Sequence, residues 1–234
     1  MIGRTRLVCL AAAALLGCGS AVAFADPPPA EPANVGDLKS EAVAYYDSGA
    51  YLTDLQLVTA PAIAWISEEA PRVDRPAVVF DIDETALSNW EAVRANDFGR
   101  VIEGPCTALP AGPCGWRAWD LKARSAVIAP TLDVFNTAKA DGAAVFFITG
   151  RDESQRAATE RNLADVGYVG FRQLIMEPVG AHFDSAADFK APQRAKIEQQ
   201  GYTIIANLGD QPSDLAGGSA EQTYLLPNPF YRIP

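Results

Sequence analysis

The chain has 234 residues, a formal net charge of −10 at pH 7, 49% hydrophobic residues and four cysteines. That acidity excludes binding to nucleic acid or to an anionic membrane surface through a basic face. The length suits one domain with a decorated core.

Arg4 and Arg6 precede an apolar stretch from Leu7 to Phe24, and Ala23, Phe24 and Ala25 form a small-residue cleavage pattern before Asp26. Residues 1–25 therefore read as a signal peptide, which predicts a periplasmic or secreted protein. Leu15, Leu16, Gly17 and Cys18 offer a rival, a bacterial lipobox in which a lipidated Cys18 becomes the mature N-terminus and the membrane anchor. Cleavage after Ala25 is preferred, because AVAF continues the apolar segment where a lipoprotein would begin a polar tether. An uncleaved anchor fits worse still, since a spanning helix needs roughly 20 apolar residues and Gly17, Gly19 and Ser20 interrupt this one.

Residues 26–35, opening with DPPPAEPA, form a Pro-rich linker with too few apolar groups to pack. Two helices are predicted within VGDLKSEAVAYYDSG and YLTDLQLVTAPAIAWISEEA, with Gly49 between them and Pro71 after them. They read as a helical cover over 36–70, with Trp65 packed on the domain. Next comes AVVFDIDETALSN, residues 77 to 89, where Ala77, Val78, Val79 and Phe80 have no polar face and predict a strand buried on both sides. Side chains alternate along a strand, so Asp81 and Asp83 point to one side, where two close carboxylates repel unless a cation or a shared proton compensates them. A hard, oxygen-seeking cation such as Mg2+ is the natural compensator. A single aspartate here would be an ordinary helix cap; two after a fully apolar strand are better explained by chemistry.

Residues 90–127 read as a small cap insertion holding Cys106, Cys114, Trp116 and Trp119. An oxidising compartment favours a Cys106–Cys114 disulfide, and two cysteines with one distant histidine, His182, do not complete a zinc site. In AAVFFITGR, residues 143 to 151, an apolar strand ends at Thr149, and Asp152 and Gln155 have the spacing of a capping box. Thr149, Gly150 and the free amides there are placed to bind phosphate oxygens. Lys190 precedes a helix expected to start around Ala191 and Pro192, where the helix dipole disfavours a cation, so it needs an anion nearby; Lys196 is a rival in the same segment. In TIIANLGDQPSDL, residues 203 to 215, a strand ends at Asp210, and Asp214 follows one turn later on the same face, so both carboxylates can serve one metal site. Strands are predicted at about 77–82, 144–149, 171–176, 203–208 and 222–226, and helices at about 131–141, 153–166 and 192–200. The alternation implies an α/β fold with a parallel, doubly wound sheet and a site at the carboxyl ends of its strands.

DIDETALSN, FFITGR, Lys190 and GDQPSD, in that order, resemble the four motifs of the haloacid dehalogenase (HAD) superfamily of phosphohydrolases. NWEAVRANDFG, GPCGWRAWD, GYTIIANLGDQPSDLAGG and the terminal LPNPFYRIP resemble its subfamily IIIB acid phosphatases, the branch containing plant vegetative storage proteins and bacterial class C acid phosphatases. The resemblance implies a Rossmann-like three-layer domain over 36–234 and metal-dependent hydrolysis of small phosphomonoesters. It makes Asp81 the nucleophile and Asp83 the general acid and base, with a pKa raised by its carboxylate neighbour. It places Mg2+ on the carboxylates of Asp81 and Asp210 and the backbone carbonyl of Asp83. Thr149 and Lys190, with Gly150, would hold phosphate oxygens, and Asp214 would orient Lys190 or a metal-bound water. Asp83 argues against dehalogenase activity, and His182 reads as an ordinary loop residue. Trp90, Trp116 and Trp119 are each candidates to stack on a nucleoside or aryl leaving group, with simple packing as the alternative. A phosphotransferase using the same site and a non-catalytic, storage-like binding protein are the other functional readings.

Overall fold

A computed structural model describes residues 32–233; residues 1–25, expected to be a signal peptide, with the rival lipobox reading at Cys18, and most of the expected linker lie outside the described residues. In chain order the elements are α1 (Val35–Asp47), α2 (Ala50–Glu69), β1 (Pro76–Phe80), β2 (Leu87–Ser88), α3 (Trp90–Ala95), α4 (Trp116–Lys122) and β3 (Ala126–Val127). There follow α5 (Ala129–Ala140), β4 (Ala144–Asp152), α6 (Arg156–Asp165), β5 (Gln173–Glu177), α7 (Ala186–Gln199), β6 (Thr203–Gly209), α8 (Pro212–Leu215) and β7 (Gln222–Leu225).

Five strands form one sheet in the order β5-β4-β1-β6-β7, and every pairing is parallel. The central strands carry apolar residues on both faces because both faces are covered. Val78, Phe80, Val145 and Phe147 point into a core with Ile66 of α2, Val134 and Phe135 of α5 and Leu163 of α6. Ala77, Val79, Phe146 and Ile148 point the other way, onto Phe189 and Ile197 of α7. Each such large side chain contributes about 1.5–3 kcal/mol by its burial, and the two-sided alternation makes three layers.

The Asn34 side chain accepts from the amides of Gly36 and Asp37 and so starts α1. Gly49, at φ 83°, turns the chain into α2 at an angle other residues adopt with strain. The Trp65 Nε1 of α2 donates to the carbonyl of Ile205 at 2.8 Å, fixing that helix to β6. No described helix is long and apolar enough to cross a membrane.

The strands lie within two or three residues of their expected ends, with three differences elsewhere. First, α7 begins at Ala186 and not near Ala191, because Ser185 and Asp188 form a capping box and Pro192 is carried inside the helix. Second, β4 continues past Thr149 to Asp152, through a register shift against β5. Third, a two-stranded antiparallel ribbon, Leu87 against Val127, closes the base of the cap. Cys106 and Cys114 are joined in a disulfide within that cap.

Two of the three tryptophans considered for stacking are engaged by other residues of the protein. Trp90 stacks on Tyr46 of α1 with ring centroids 4.0 Å apart, and Trp119 is buried with its Nε1 donating to Asn89 Oδ1 at 2.8 Å. Packing and hydrogen bonding therefore replace the stacking role considered for them, and of the three only Trp116 lines the cavity described next.

Candidate active site

A cavity of about 520 Å³ opens at the carboxyl ends of β1, β4 and β6. Asp81, Asp83, Lys190, Asp210 and Asp214 form its polar floor, while Trp116, Arg117, His182, Phe183, Tyr231 and Ile233 stand around it. The floor is built by the turn after β1. The Asp81 amide still donates to Leu208 of β6, and the Ile82 carbonyl then accepts from the amides of Thr85, Ala86 and Leu87, which turns the chain at once.

Lys190 lies in the second turn of α7, not at its N-terminus, and the anions it needs are both present. Its ammonium donates to Asp81 Oδ1 at 2.5 Å and to Asp214 Oδ1 at 2.6 Å. Asp214 also accepts from the amide of Gln211 at 2.9 Å, so it orients Lys190 from a fixed position. Asp210 Oδ2 accepts from Gln211 Nε2 at 2.5 Å and Asn228 Nδ2 at 2.7 Å, and Oδ1 accepts from Thr85 Oγ1 at 3.2 Å. Asp81, Asp210 and Asp214 each offer a carboxylate oxygen within 4.8 Å of the others. The carboxylate of Asp83 is outside this trio.

Burial pushes Asp81 well above the usual carboxylate range, with Asp214 and Asp210 adding to the rise and Lys190 opposing it. Burial also raises Asp210, with Asp214 next, to about 7. Lys190 is raised: burial disfavours its charge, and Asp214 and Asp81 outweigh that. Asp83 behaves in the opposite sense to the sequence expectation. Burial would raise it, but the charge and hydrogen bonds of Arg151, with Asn89, leave it below its ordinary value. The neighbour that decides its acidity is a guanidinium and not the second carboxylate.

Thr149 is fully buried at the strand end, its Oγ1 accepting from the Arg151 amide at 3.2 Å, and Gly150 lines the cavity. His182 stands in the loop between β5 and α7, at the cavity wall.

Several residues of the site carried no assignment from sequence. Arg151 is buried and paired with Asp83 at 2.6 Å and with Asp120 at 3.2 Å. Glu84 is buried at φ 55° and accepts from the Asn89 amide at 2.6 Å and from the Tyr231 hydroxyl. Asn228 and Tyr231 bring the C-terminal segment onto the floor. All lie next to assigned aspartates or inside the quoted motifs, Asn89 closing DIDETALSN and Asp120 closing GPCGWRAWD, so the signal was a polar residue type within an informative motif, without any sign of its partner.

The chain as a whole is similar to several known proteins. The chain is 34% identical over 158 residues, 66% of its length, to the Stem 28 kDa glycoprotein of Glycine max, of which this covers 59%. It is 29% identical over 160 residues, 68% of its length, to Acid phosphatase 1 of Solanum lycopersicum, of which this covers 60%. The match thus spans about three fifths of these curated relatives. The fold is similar to that of the class C acid phosphatase of Bacillus anthracis with tungstate bound, at 20% identity, TM-score 0.64 and coverage of 84% of this chain and 86% of that one. The family model described as HAD superfamily, subfamily IIIB (acid phosphatase) matches residues 25–234, nearly the whole chain, and the chain therefore belongs to that subfamily.

Proposed function

We propose that the protein is an exported, Mg2+-dependent acid phosphatase that hydrolyses small phosphomonoesters through an aspartyl-phosphate on Asp81. The observation that carries this reading is the floor of the cavity, where the Asp81 carboxylate adjoins a lysine fixed by Asp214 and faces the same space as Asp83. The family supports the reaction class.

An oxygen of Asp81 attacks phosphorus while Lys190, released toward the ester, pairs with a phosphoryl oxygen. The P–O bond to the alcohol breaks with its electrons on oxygen, and Asp83 gives that oxygen a proton. Asp83 then takes a proton from the water that attacks phosphorus, which returns the Asp81 carboxylate and releases phosphate. Gly150 of β4 lines the cavity where the phosphoryl group would sit, and Thr149 is buried beside it.

The donor set fits a hard divalent cation. Three buried carboxylates share one ammonium, and Asp210 meets only the neutral donors Thr85, Gln211 and Asn228, so the floor has negative charge to spare. Asp81, Asp210 and the carbonyl of Asp83 would hold Mg2+, and when bound the ion would neutralise charge on the phosphoryl oxygens. Asp214 has one oxygen on Lys190 and the other on the Gln211 amide, so both are engaged and it is left out of that set.

Export rests on the signal pattern of residues 1–25, and the Cys106–Cys114 disulfide is consistent with an oxidising compartment. The functional test is phosphate release from a chromogenic phosphomonoester across pH, with Mg2+ and with EDTA. Turnover that requires the metal supports the reading; folded, metal-loaded protein inactive at every pH contradicts it.

A further inference from the structure

Two buried relays run from the cap to the carboxylate of Asp83. In the first, Asp120 of α4 stands 3.2 Å from Arg151 Nη2, as an ion pair, while its other oxygen accepts from Gln155 Nε2 at 2.7 Å. Arg151 Nη2 donates to Asp83 Oδ1 at 2.6 Å, and Arg151 Nε donates to Oδ2 at 3.1 Å. In the second relay, Trp119 Nε1 and Ser125 Oγ both donate to Asn89 Oδ1 at 2.8 Å. That fixes the orientation of the Asn89 amide and turns Nδ2 onto Asp83 Oδ1, also at 2.8 Å. Asp120 and Trp119 are adjacent on one helix and 2% and 1% exposed, whereas the side chain of Asp83 keeps 17% exposure toward the cavity.

The consequence for Asp83 is an asymmetry between its oxygens. Oδ1 receives the two close donors, and Oδ2 receives only the longer Nε contact, so Oδ2 is the oxygen left to carry and pass a proton. The ion pair with Asp120 has a second use. A buried guanidinium stripped of anions is costly, and Arg151 touches two carboxylates, so it keeps one partner when Asp83 carries the proton.

We propose that Asp120 and Trp119 are positioning residues for leaving-group protonation, acting through Arg151 and Asn89 to hold Oδ2 of Asp83 toward the ester oxygen. The inference rests on the phosphatase reading above. In the step concerned the P–O bond breaks with its electrons on oxygen, the proton of Asp83 Oδ2 passes to that oxygen, and the alcohol departs neutral. An alkoxide needs that proton, whereas a nitrophenolate leaves well without it.

The test compares kcat/KM for glycerol phosphate and for nitrophenyl phosphate in the wild-type protein, Asp120→Asn and Trp119→Phe, with thermal unfolding followed in parallel. kcat/KM reports the steps up to departure of the alcohol, so the later hydrolysis of the phosphoryl-enzyme does not mask the effect. Proton transfer by a positioned side chain contributes about 10²–10⁴-fold, so a misaimed Asp83 is expected to lower the glycerol phosphate value by about tenfold or more. The nitrophenyl phosphate value is expected to change little. A cap that merely supports the fold would lower both together. An unchanged ratio of the two esters in every folded variant overturns the inference while the phosphatase reading stands; wild-type protein that turns over neither ester overturns the reading itself. Trp119→Phe removes one N–H and keeps an aromatic ring, so it carries the test if Asp120→Asn does not fold.

Discussion

The floor of the cavity has two halves built from the same parts in different proportions. On one side Asp81, Asp210 and Asp214 gather around a single ammonium, Lys190. On the other Asp83 and Asp120 share a single guanidinium, Arg151. The first half has charge to spare; burial raises Asp81 and takes Asp210 to about 7 there, and takes Asp120 to about 7 in the second half. In the second a geometrically matched arginine lies against Asp83 and holds it low. What separates the halves is the count of cations per carboxylate: in the proposed function the first accepts a further cation and a phosphoryl group, and the second manages a proton.

The largest expected effect comes from the first half. Asp81→Asn should abolish turnover by several orders of magnitude in a phosphate-release assay, with the fold retained, because an amide is no nucleophile. Residual activity near that of the wild-type protein would remove Asp81 from its assigned role.

Lys190→Met and Arg151→Met each strand a buried carboxylate pair and should each cost about 3–5 kcal/mol of stability, read by denaturant or thermal unfolding. The two variants should then part company. Added Mg2+ should restore more stability to Lys190→Met than it adds to the wild-type protein, and should add no more to Arg151→Met than to the wild type. Equal responses would break the distinction between the halves. In the unaltered protein, Mg2+ at 100 times its Kd should contribute about 2.7 kcal/mol, a shift that Asp210→Asn should remove and Asp120→Asn should leave in place.

A further effect is a pH gradient to which Glu84 contributes. Burial, followed by the charge of Asp83, raises it from 4.5 to about 8, against hydrogen bonds from Tyr231 and Asn89. Between those values the native protein keeps a proton that the unfolded chain has released, so stability falls as pH rises from 4.5 to 8. Thermal unfolding across that range should show Tm declining toward the alkaline end, with a flatter profile in Glu84→Gln. A Tm that rises over the same interval would show Glu84 to be ionised in the native protein.

The three central strands are legible because each is a short apolar run buried on both faces, and Asp81 and Asp210 of the acidic floor because they follow directly from strand ends in the chain. What escaped were local conflicts and distant partners. Pro192 is a strong signal for a helix start, and the capping box of Ser185 and Asp188 upstream of it prevails over it. Arg151 reaches Asp83 across 68 positions, and Tyr231 reaches Glu84 across 147, which no local pattern records. The acidity expected of Asp83 was misjudged for the same reason, since its controlling neighbour comes from another strand. Trp119 was read as a possible stacking platform by its location in the cap, whereas its Nε1 hydrogen bond to Asn89 gives it a role in the interior.

The most direct test of the central claim is mass spectrometry of protein quenched in acid during turnover of a phosphomonoester. A phosphoryl adduct on the peptide containing Asp81, absent from Asp81→Asn, is the predicted result. An adduct on another residue, or continued phosphate release from Asp81→Asn, would contradict it.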